Sequence, residues 1–336
     1  MKKNIRILIT GSSGYIGSCL SESLKKKFIV FGIDKNKNSI TKQKKFFRIN
    51  LLNYKKSYSI IKKIKPNIVI HLAAQSTIDN IHDKKSYLKN NIDVTKKIIK
   101  ICEKLNINKI IFSSTAALYK NSNKNLTENS TVMPNNIYGK TKLICEKIIK
   151  KKFYSNKNYI IFRFFNVCSS MLPIKIGENH NPETHFIPIV FSKFLNNQAI
   201  NIYGNTFSTK DGTCIRDYIH IKDIVRAIEF GVEMLFSKKN KSLILNLGSG
   251  VGYSNLEVIN FAKNFFKKNK YRNKLKCIFA RKREGDLGRL VCSLSKKTAS
   301  NLKWYPKNTT LKKIFTDELR WRKYLLTKKI KTRTIY

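Results

Sequence analysis

The sequence predicts an α/β protein in which a doubly wound parallel sheet is followed by a smaller C-terminal α/β domain. Through residues 1–166, short β-branched runs alternate with lysine-rich stretches of helical periodicity, which is typical of repeated βαβ units. A glycine-rich turn from Gly11 to Gly17 follows the first of these runs. After Asn166 the alternation becomes irregular. We therefore predict one domain over 1–166 and a second over 167–336, with some segments of the second returning to the first.

Each element is assigned from its composition and periodicity. Runs of β-branched and aromatic residues predict strands at Arg6–Thr10, Ile29–Ile33, Phe46–Ile49, Ile68–Leu72, Lys109–Ser113 and Tyr159–Phe164. Apolar residues at helical spacing predict helices at Tyr15–Lys26, Tyr54–Lys63, Asn90–Leu105, Tyr138–Tyr154, Ile187–Asn196, Asn255–Lys268 and Leu311–Lys323. A loop is predicted at Gly177–His185.

Composition narrows the class of protein. A chain of 336 residues with 42% hydrophobic residues has enough apolar surface for a core, which argues against disorder. Its first apolar run is only about five residues long and ends in the glycine turn, unlike a signal peptide, so a cytoplasmic location and no membrane partner are expected. The seven cysteines are scattered without a C-x-x-C pair. Neither these cysteines nor the spacing of the histidines predicts a metal site.

The net charge of +48 comes from 68 basic and 20 acidic residues. A charge of this size is typical of proteins that bind nucleic acid or anionic membranes. Here, however, lysine is spread along the whole chain and is not interleaved with aromatic residues in one segment. The pattern favours compositional drift over a specific nucleic-acid partner, with nonspecific adhesion expected at low salt.

The glycine turn predicts a dinucleotide site. Gly11, Gly14 and Gly17 form G-x-x-G-x-x-G between the first strand and the first helix, where glycine lets the backbone approach a pyrophosphate at the helix start. Asp34 ends the second strand. A carboxylate there accepts hydrogen bonds from an adenosine ribose and repels a 2′-phosphate. The predicted cofactor is therefore NAD, not NADP.

A candidate catalytic pair follows the fifth strand. Tyr138 and Lys142 are four residues apart, which places both on one face of a helix. A nearby cation stabilises a phenolate and lowers its pKa, so this pair is suited to a tyrosine that acts as a general base.

Together these motifs resemble those of the extended short-chain dehydrogenase/reductases, a family with a Rossmann domain, and within it those of the UDP-glucose 4-epimerases, over nearly the full chain. The first set of matching residues marks the wider family: the glycine motif with Tyr15-Ile16, Val69-Ile70-His71-Leu72-Ala73-Ala74, Asn90-Asn91, Ser113-Ser114-Thr115, Tyr138 with Lys142, and Arg163-Phe164-Phe165-Asn166. Three later segments are more typical of the epimerases: Asp211–His220, Asn246–Gly252 and Arg283–Leu287.

The resemblance implies that Tyr138 removes the proton of a sugar 4-hydroxyl, that Thr115 hydrogen-bonds the same oxygen and that Lys142 holds the nicotinamide ribose. It implies NAD contacts at Gly11, Gly14, Tyr15, Ile16, Gly17, Asp34, Asn50, Leu51, Leu72, Ala73, Ala74, Asn90, Ser113, Tyr138, Lys142 and Phe165. It implies contacts with a UDP-sugar at Thr115, Asn166, His185, Phe186, Tyr203, Arg216, Arg283, Asp286 and Leu290. It also implies a homodimer built partly from the helices Asn90–Leu105 and Tyr138–Tyr154.

Some positions depart from the family pattern. Asn50 replaces an Asp that commonly contacts adenine, and Ser76 replaces a Lys beside the cofactor, so weaker retention of NAD is expected. Leu290 replaces a Tyr that often borders the sugar pocket, from which we predict that N-acetylated hexosamines are accepted as well as hexoses.

Two alternative functions stay open. The first is another NAD-dependent nucleotide-sugar enzyme, such as a dehydratase, decarboxylase or reductase. A dehydratase is expected to carry Asp-Glu after the catalytic Thr, whereas this chain has Ala116-Ala117. The second is a non-catalytic nucleotide- or RNA-binding protein, which the charge favours and which Tyr138, Lys142 and Thr115 together argue against.

Overall fold

The computed structural model describes residues 4–37, 45–76, 83–153, 158–172, 174–180, 182–237, 242–272, 275–294 and 296–327. The strands are β1 (Arg6–Thr10), β2 (Ile29–Asp34), β3 (Phe46–Arg48), β4 (Ile68–His71), β5 (Lys109–Thr115), β6 (Asn158–Phe164), β7 (Asn166–Cys168), β8 (Ser170–Met171), β9 (Ile176–Gly177), β10 (Ile200–Tyr203), β11 (Ile215–His220), β12 (Leu243–Leu247), β13 (Gly252–Ser254), β14 (Cys277–Ala280) and β15 (Arg289–Leu290). The helices are α1 (Tyr15–Leu24), α2 (Tyr54–Ile64), α3 (Lys84–Tyr87), α4 (Val94–Lys104), α5 (Ile137–Lys152), α6 (Phe186–Leu195), α7 (Ile221–Leu235), α8 (Asn255–Lys268), α9 (Lys296–Leu302) and α10 (Leu311–Thr327).

The large sheet contains seven strands in the order β12-β6-β5-β4-β1-β2-β3, and all its pairings are parallel. The strand order reverses between β1 and β4, since β2 and β3 continue to one side and β5 and β6 to the other. Ligands of such sheets bind beyond the carboxyl ends of the strands at this reversal. The predicted doubly wound Rossmann architecture is confirmed.

Helices cover both faces of the large sheet. In β1, Ile7 and Ile9 point into a core shared with α1 and α7, whereas Leu8 points into a core shared with α2, α4 and α5. This alternation is the period-two pattern of a strand that is buried on both faces. It explains why the first strand reads as a continuous apolar run.

The remaining strands form smaller sheets beside the large one. Strand β11 pairs with β7, β13 and β15, and β10 pairs with β14. A third core, built from α6, α8 and α10, includes Phe194 and Phe266, whose rings stack with centroids 3.6 Å apart. This part of the chain is the smaller α/β unit that the sequence predicts after Asn166.

Some elements differ from the predicted ones. Strand β12, which was not predicted, lies far along the chain and pairs with β6 in the large sheet, while the boundary at 166 and the return of later segments to the first domain stay predictions. The helix predicted from Asn90 begins instead as a π-helical turn, Leu88–Asp93, before α4. Tyr154, the predicted end of the next helix, lies outside the described residues. Among the described helices, none has the length and apolar character needed to cross a membrane.

Candidate active site

The glycine turn lies at the carboxyl end of β1. Gly11 has a φ of +72°, and a methyl group there would lie 2.7 Å from the backbone nitrogen of Ala73. At Gly17 the same group would lie 2.1 Å from the carbonyl oxygen of Gly11. Gly14 is the N-cap of α1 and makes no side-chain cap hydrogen bond. The turn thus brings the start of α1, with Tyr15 and Ile16, against the end of β1, and it leaves that start suited to a phosphate.

Asp34 joins the end of β2 to this turn. Its carboxylate accepts hydrogen bonds from the backbone N–H groups of Ser13 and Asn36, each at 3.0 Å. Burial raises the pKa of Asp34, and these hydrogen bonds partly oppose the rise. The side chain lies where the sequence places the ribose contact. Asn50, by contrast, is exposed and accepts a hydrogen bond from the backbone N–H of Leu52.

The segment after β4 borders the turn from the other side. The backbone N–H of Leu72 donates to the carbonyl of Thr10 at 3.1 Å, and Ala73 and Ala74 follow it. Before it, His71 is fully buried between the hydroxyls of Thr10 and Thr95. Burial, reinforced by the charge of Lys142, lowers the pKa of His71 to about 3. His71 is therefore a packed core residue.

The candidate catalytic side chains meet at the end of β5 and the start of α5. Tyr138 forms a side-chain hydrogen bond with Thr115, the last residue of β5. Lys142, one turn later, is buried and donates to the carbonyl oxygen of Ser113 at 2.6 Å. Its ammonium nitrogen lies 6.0 Å from the ring centroid of Tyr138. The structure therefore brings together the three residues that the sequence assigns to catalysis.

The pKa of the phenol differs from the expectation. Burial raises the pKa of Tyr138 to about 12, and the hydrogen bond with Thr115 opposes this only in part. The predicted lowering by the neighbouring cation is wrong in direction, because the cost of burying a phenolate exceeds these opposing effects. Burial also lowers the pKa of Lys142 to about 8, although the nearby Cys145 and Glu146 act to raise it.

Asn91 is a positioning residue that the sequence analysis did not single out for a role. Its side chain is buried, accepts from the backbone N–H of Gln75 at 2.7 Å and donates to Thr141 of the catalytic helix at 2.9 Å. Asn90, the predicted cofactor residue, is half-buried and donates to Ser86. Because a π-helical turn shifts side-chain directions, the spacing of a regular helix does not show which of the two asparagines points inward.

A buried ion pair between Glu146 and Arg163 joins α5 to β6. Glu146 receives two hydrogen bonds from Arg163, at 3.0 and 2.7 Å, and one from Ser114 at 2.5 Å. Arg163 also donates to the hydroxyl of Tyr119, which donates in turn to Asn246. The network links β5, α5, β6 and β12 beneath Thr115 and Tyr138. Arg163 belongs to a family motif, but Glu146 carried no signal in the sequence beyond its place on the helix.

The predicted UDP-sugar residues fall into separate groups. Arg216 of β11 donates to the carbonyl of Leu287 at 2.8 Å, and its guanidinium lies 3.7 Å from the carboxylate of Asp286. The guanidinium of Arg283 lies 3.8 Å from the ring centroid of Tyr203. These arginines are suited to the charge of a diphosphate.

The remaining residues of the predicted substrate set lie in an apolar cluster, on β7 and at the start of α6. Leu290 is buried in one cluster with Leu287 and with Phe165, which belongs to the predicted NAD set, and Asn166 opens β7, opposite Tyr218 of β11. His185 and Phe186 begin α6, and the described contacts of His185 are with Glu178 and Glu183, not with the arginines.

Residues 7–248 match the NAD dependent epimerase/dehydratase family. The chain belongs to this family. A relative, the UDP-glucose 4-epimerase of Mycoplasma genitalium, is 34% identical over 93% of this chain and 95% of its own length. The dependence of the family on NAD agrees with the cofactor predicted from the glycine turn and Asp34.

Solved structures of this epimerase/dehydratase family share the whole fold. UDP-glucose 4-epimerase from Brucella ovis, in complex with NAD, has a TM-score of 0.85 and 27% identity, covering 94% of this chain and 98% of that one. The UDP-Glc/GlcNAc 4-epimerase of Campylobacter jejuni has a TM-score of 0.76 and 30% identity, covering 95% and 99%.

Proposed function

We propose that this protein interconverts UDP-glucose and UDP-galactose by transient oxidation at C4 of the sugar, with NAD as a resident cofactor. The observation that carries the proposal is the hydrogen-bonded Tyr138 and Thr115 beside the buried Lys142, at the strand-order reversal of a member of this family. Relatives with the UDP-glucose 4-epimerase name cover nearly the whole chain, which supports the sugar pair. Ala116 and Ala117 argue against a dehydratase.

The residues of the site fit NAD. The start of α1 is close to the end of β1 and lacks a side-chain cap, as a pyrophosphate requires, and Asp34 lies at the end of β2 for a ribose. Lys142 is placed to hold the nicotinamide ribose. When bound, NAD supplies a hydride acceptor and donor and a positive charge on its nicotinamide.

The phenol oxygen of Tyr138 then exchanges one proton with the sugar 4-oxygen. Its phenolate form accepts the proton as the hydroxyl is oxidised, and the resulting phenol returns it when the ketone is reduced on its opposite face, so the cycle consumes neither protons nor cofactor. Burial raises the pKa of Tyr138 to about 12, so proton acceptance requires positive charge, from Lys142 and from bound NAD, that lowers this pKa. Positive charge beside the phenol favours the acceptance step, and Thr115 orients the oxygen.

The test is incubation of the purified chain with UDP-galactose, first without and then with added NAD, followed by separation of the sugar nucleotides. We expect UDP-glucose to form, and a gain on adding NAD would reflect weak retention at Asn50 and Ser76. Tyr138→Phe should lower turnover about 100- to 10,000-fold, while Tyr58→Phe, a half-buried tyrosine of α2, should not. No product from hexose or N-acetylhexosamine nucleotides, even with NAD, would contradict the proposal.

The N-acetylhexosamine pair is the second candidate substrate. Leucine at 290 is smaller than tyrosine, and the Campylobacter jejuni relative is named for both sugars.

We also infer a homodimer that uses α4 and α5. Ile144 of α5 is 40% exposed, an apolar side chain on the outer face of that helix. A cytoplasmic location is supported by the seven cysteines, all free in the structure. Neither a specific nucleic-acid partner nor a membrane partner is part of the proposal.

A further inference from the structure

Four side chains converge in the segment between β9 and α6. Glu178, His180, Glu183 and His185 each contribute one potential ligand atom, and these four atoms all lie within 4.8 Å of one another. Oε1 of Glu178 is 3.2 Å from Nδ1 of His180 and 2.5 Å from Nδ1 of His185. Oε1 of Glu183 is 3.9 and 3.6 Å from the same two nitrogens.

These are ion-pair distances, and none of them has the geometry of a hydrogen bond. Glu178 is fully buried, and both of its carboxylate oxygens lack a hydrogen-bond partner. Nδ1 of His180 and Nδ1 of His185 lack one as well. Burying a carboxylate without partners is costly, as is leaving two ring nitrogens unpaired beside it. Donor atoms that converge without bonding one another indicate a missing common partner.

The surrounding charges favour a cation. Glu318 of α10 is buried next to the cluster, and it binds Arg322 at 2.7 Å. Arg322 also lies 3.9 Å from Oε2 of Glu183. Among the described residues named here, three carboxylates therefore face one guanidinium, and their charge is balanced only when the two imidazoles are protonated or a cation is bound.

We propose that Glu178, His180, Glu183 and His185 bind a divalent zinc ion. Imidazole nitrogen and carboxylate oxygen are both zinc ligands, whereas Ca²⁺ and Mg²⁺ prefer oxygen ligands alone. Tetrahedral bonds of about 2.0 to 2.1 Å place neighbouring ligand atoms roughly 3.3 Å apart. The separations seen between nitrogens and oxygens, from 2.5 to 3.9 Å, bracket that value. Small side-chain rotations complete the tetrahedron.

The site is structural because the chain supplies all four ligands. The carbonyl of Glu178 accepts a hydrogen bond from the indole of Trp321 in α10 at 2.8 Å, and His185 is the N-cap of α6. Zinc therefore joins the end of β9 to the start of α6 and fixes both against α10. The predicted uridine contacts at His185 and Phe186 lie at that junction.

The test measures metal, not activity. The full chain is treated with a chelator, freed of it and titrated with Zn²⁺ alone, with bound metal measured by elemental mass spectrometry. We expect one zinc per chain. Glu178→Gln and His180→Ala should each weaken binding by about 100-fold or more, since even loss of a ligand's outer partner costs 10- to 100-fold. Glu103→Gln, a change at a half-buried glutamate of α4 that lies outside the cluster, should leave zinc binding like that of the unchanged chain.

Cobalt gives a readout that does not depend on variants. Co²⁺ added to the metal-free chain should show the intense visible absorption of a tetrahedral site, which Zn²⁺ then removes. Zinc well below one equivalent in the unchanged chain would overturn the proposal, as would full zinc binding in folded His180→Ala protein, checked by circular dichroism. Epimerase activity enters none of these measurements, so the proposed function can fail while the zinc site stands, and the reverse.

Discussion

At the scale of single residues, Leu290 is the position that we expect to decide between the hexose and the N-acetylhexosamine nucleotides. It is only 8% exposed and packs in the cluster with Phe165 and Leu287. A tyrosine at 290 adds a ring and a hydroxyl where the family pattern places the border of the sugar pocket. That volume crowds an N-acetyl group more than a hydroxyl.

We therefore expect Leu290→Tyr to lower kcat/KM for UDP-N-acetylglucosamine, relative to UDP-glucose, by about 10-fold or more, the usual effect of small steric changes in a pocket. Steady-state assays with both nucleotides measure the ratio. Leu294→Tyr, at a position that is 47% exposed, is the matched control. An equal fall for both substrates, or an unchanged ratio, would show that position 290 does not set the choice of sugar.

Residue types and spacings predicted which side chains meet at the candidate site, but not the environment of those side chains. The interval between Tyr138 and Lys142 fixes one helix face, and the structure indeed places both there. It carries no information on burial, which raises the phenol pKa in place of the expected lowering. The histidines show a similar limit, because spacing among His180, His185 and the others suggests no metal. Only the fold brings Glu178 and Glu183 to the same point as the two histidines.

At the scale of elements, the catalytic helix α5 depends on a buried ion pair. The carboxylate of Glu146 and the guanidinium of Arg163 are 2% and 5% exposed, and replacing one partner leaves the other charge buried without compensation. A more exposed pair, Lys152 of α5 with Glu103 of α4, offers a direct comparison, with side chains 50% and 33% exposed.

Glu146→Gln should lower the free energy of unfolding by about 3 to 5 kcal/mol, and Glu103→Gln by about 1 kcal/mol or less. Equilibrium unfolding in urea, followed by circular dichroism and fluorescence, measures both. Equal losses for the two variants would mean that the burial of Glu146 does not govern the stability of this region.

The elements themselves were largely predictable, since period-two and helical patterns are local properties. Strand β1 and helix α8 have the predicted bounds. Two features depend on distant contacts. Asn91 points inward and hydrogen-bonds to Gln75 and Thr141. It lies in the π-helical turn, where a regular helix was expected. Strand β12 was not predicted, because its place in the large sheet depends on β6, about 80 positions earlier in the chain.

At the scale of the whole molecule, the charge of +48 acts against the inferred homodimer. Two like-charged subunits repel over the Debye length, about 10 Å at 0.1 M salt and about 3 Å at 1 M. The contact through α4 and α5 must therefore strengthen as salt is added, whereas nonspecific adhesion to nucleic acid weakens under the same change. Opposite responses to salt separate the two kinds of association.

Sedimentation of nuclease-treated protein at micromolar concentration, in steps from 0.05 to about 0.5 M salt, should show the dimer fraction rising. Ile144→Asp places a charge on the inferred interface and should leave a monomer at every salt concentration. Leu326→Asp, which changes a side chain that is 67% exposed on α10, should dimerise like the unchanged chain, because the same charge is added away from α4 and α5. A monomer throughout, or a dimer that Ile144→Asp leaves intact, would place the contact elsewhere or remove it.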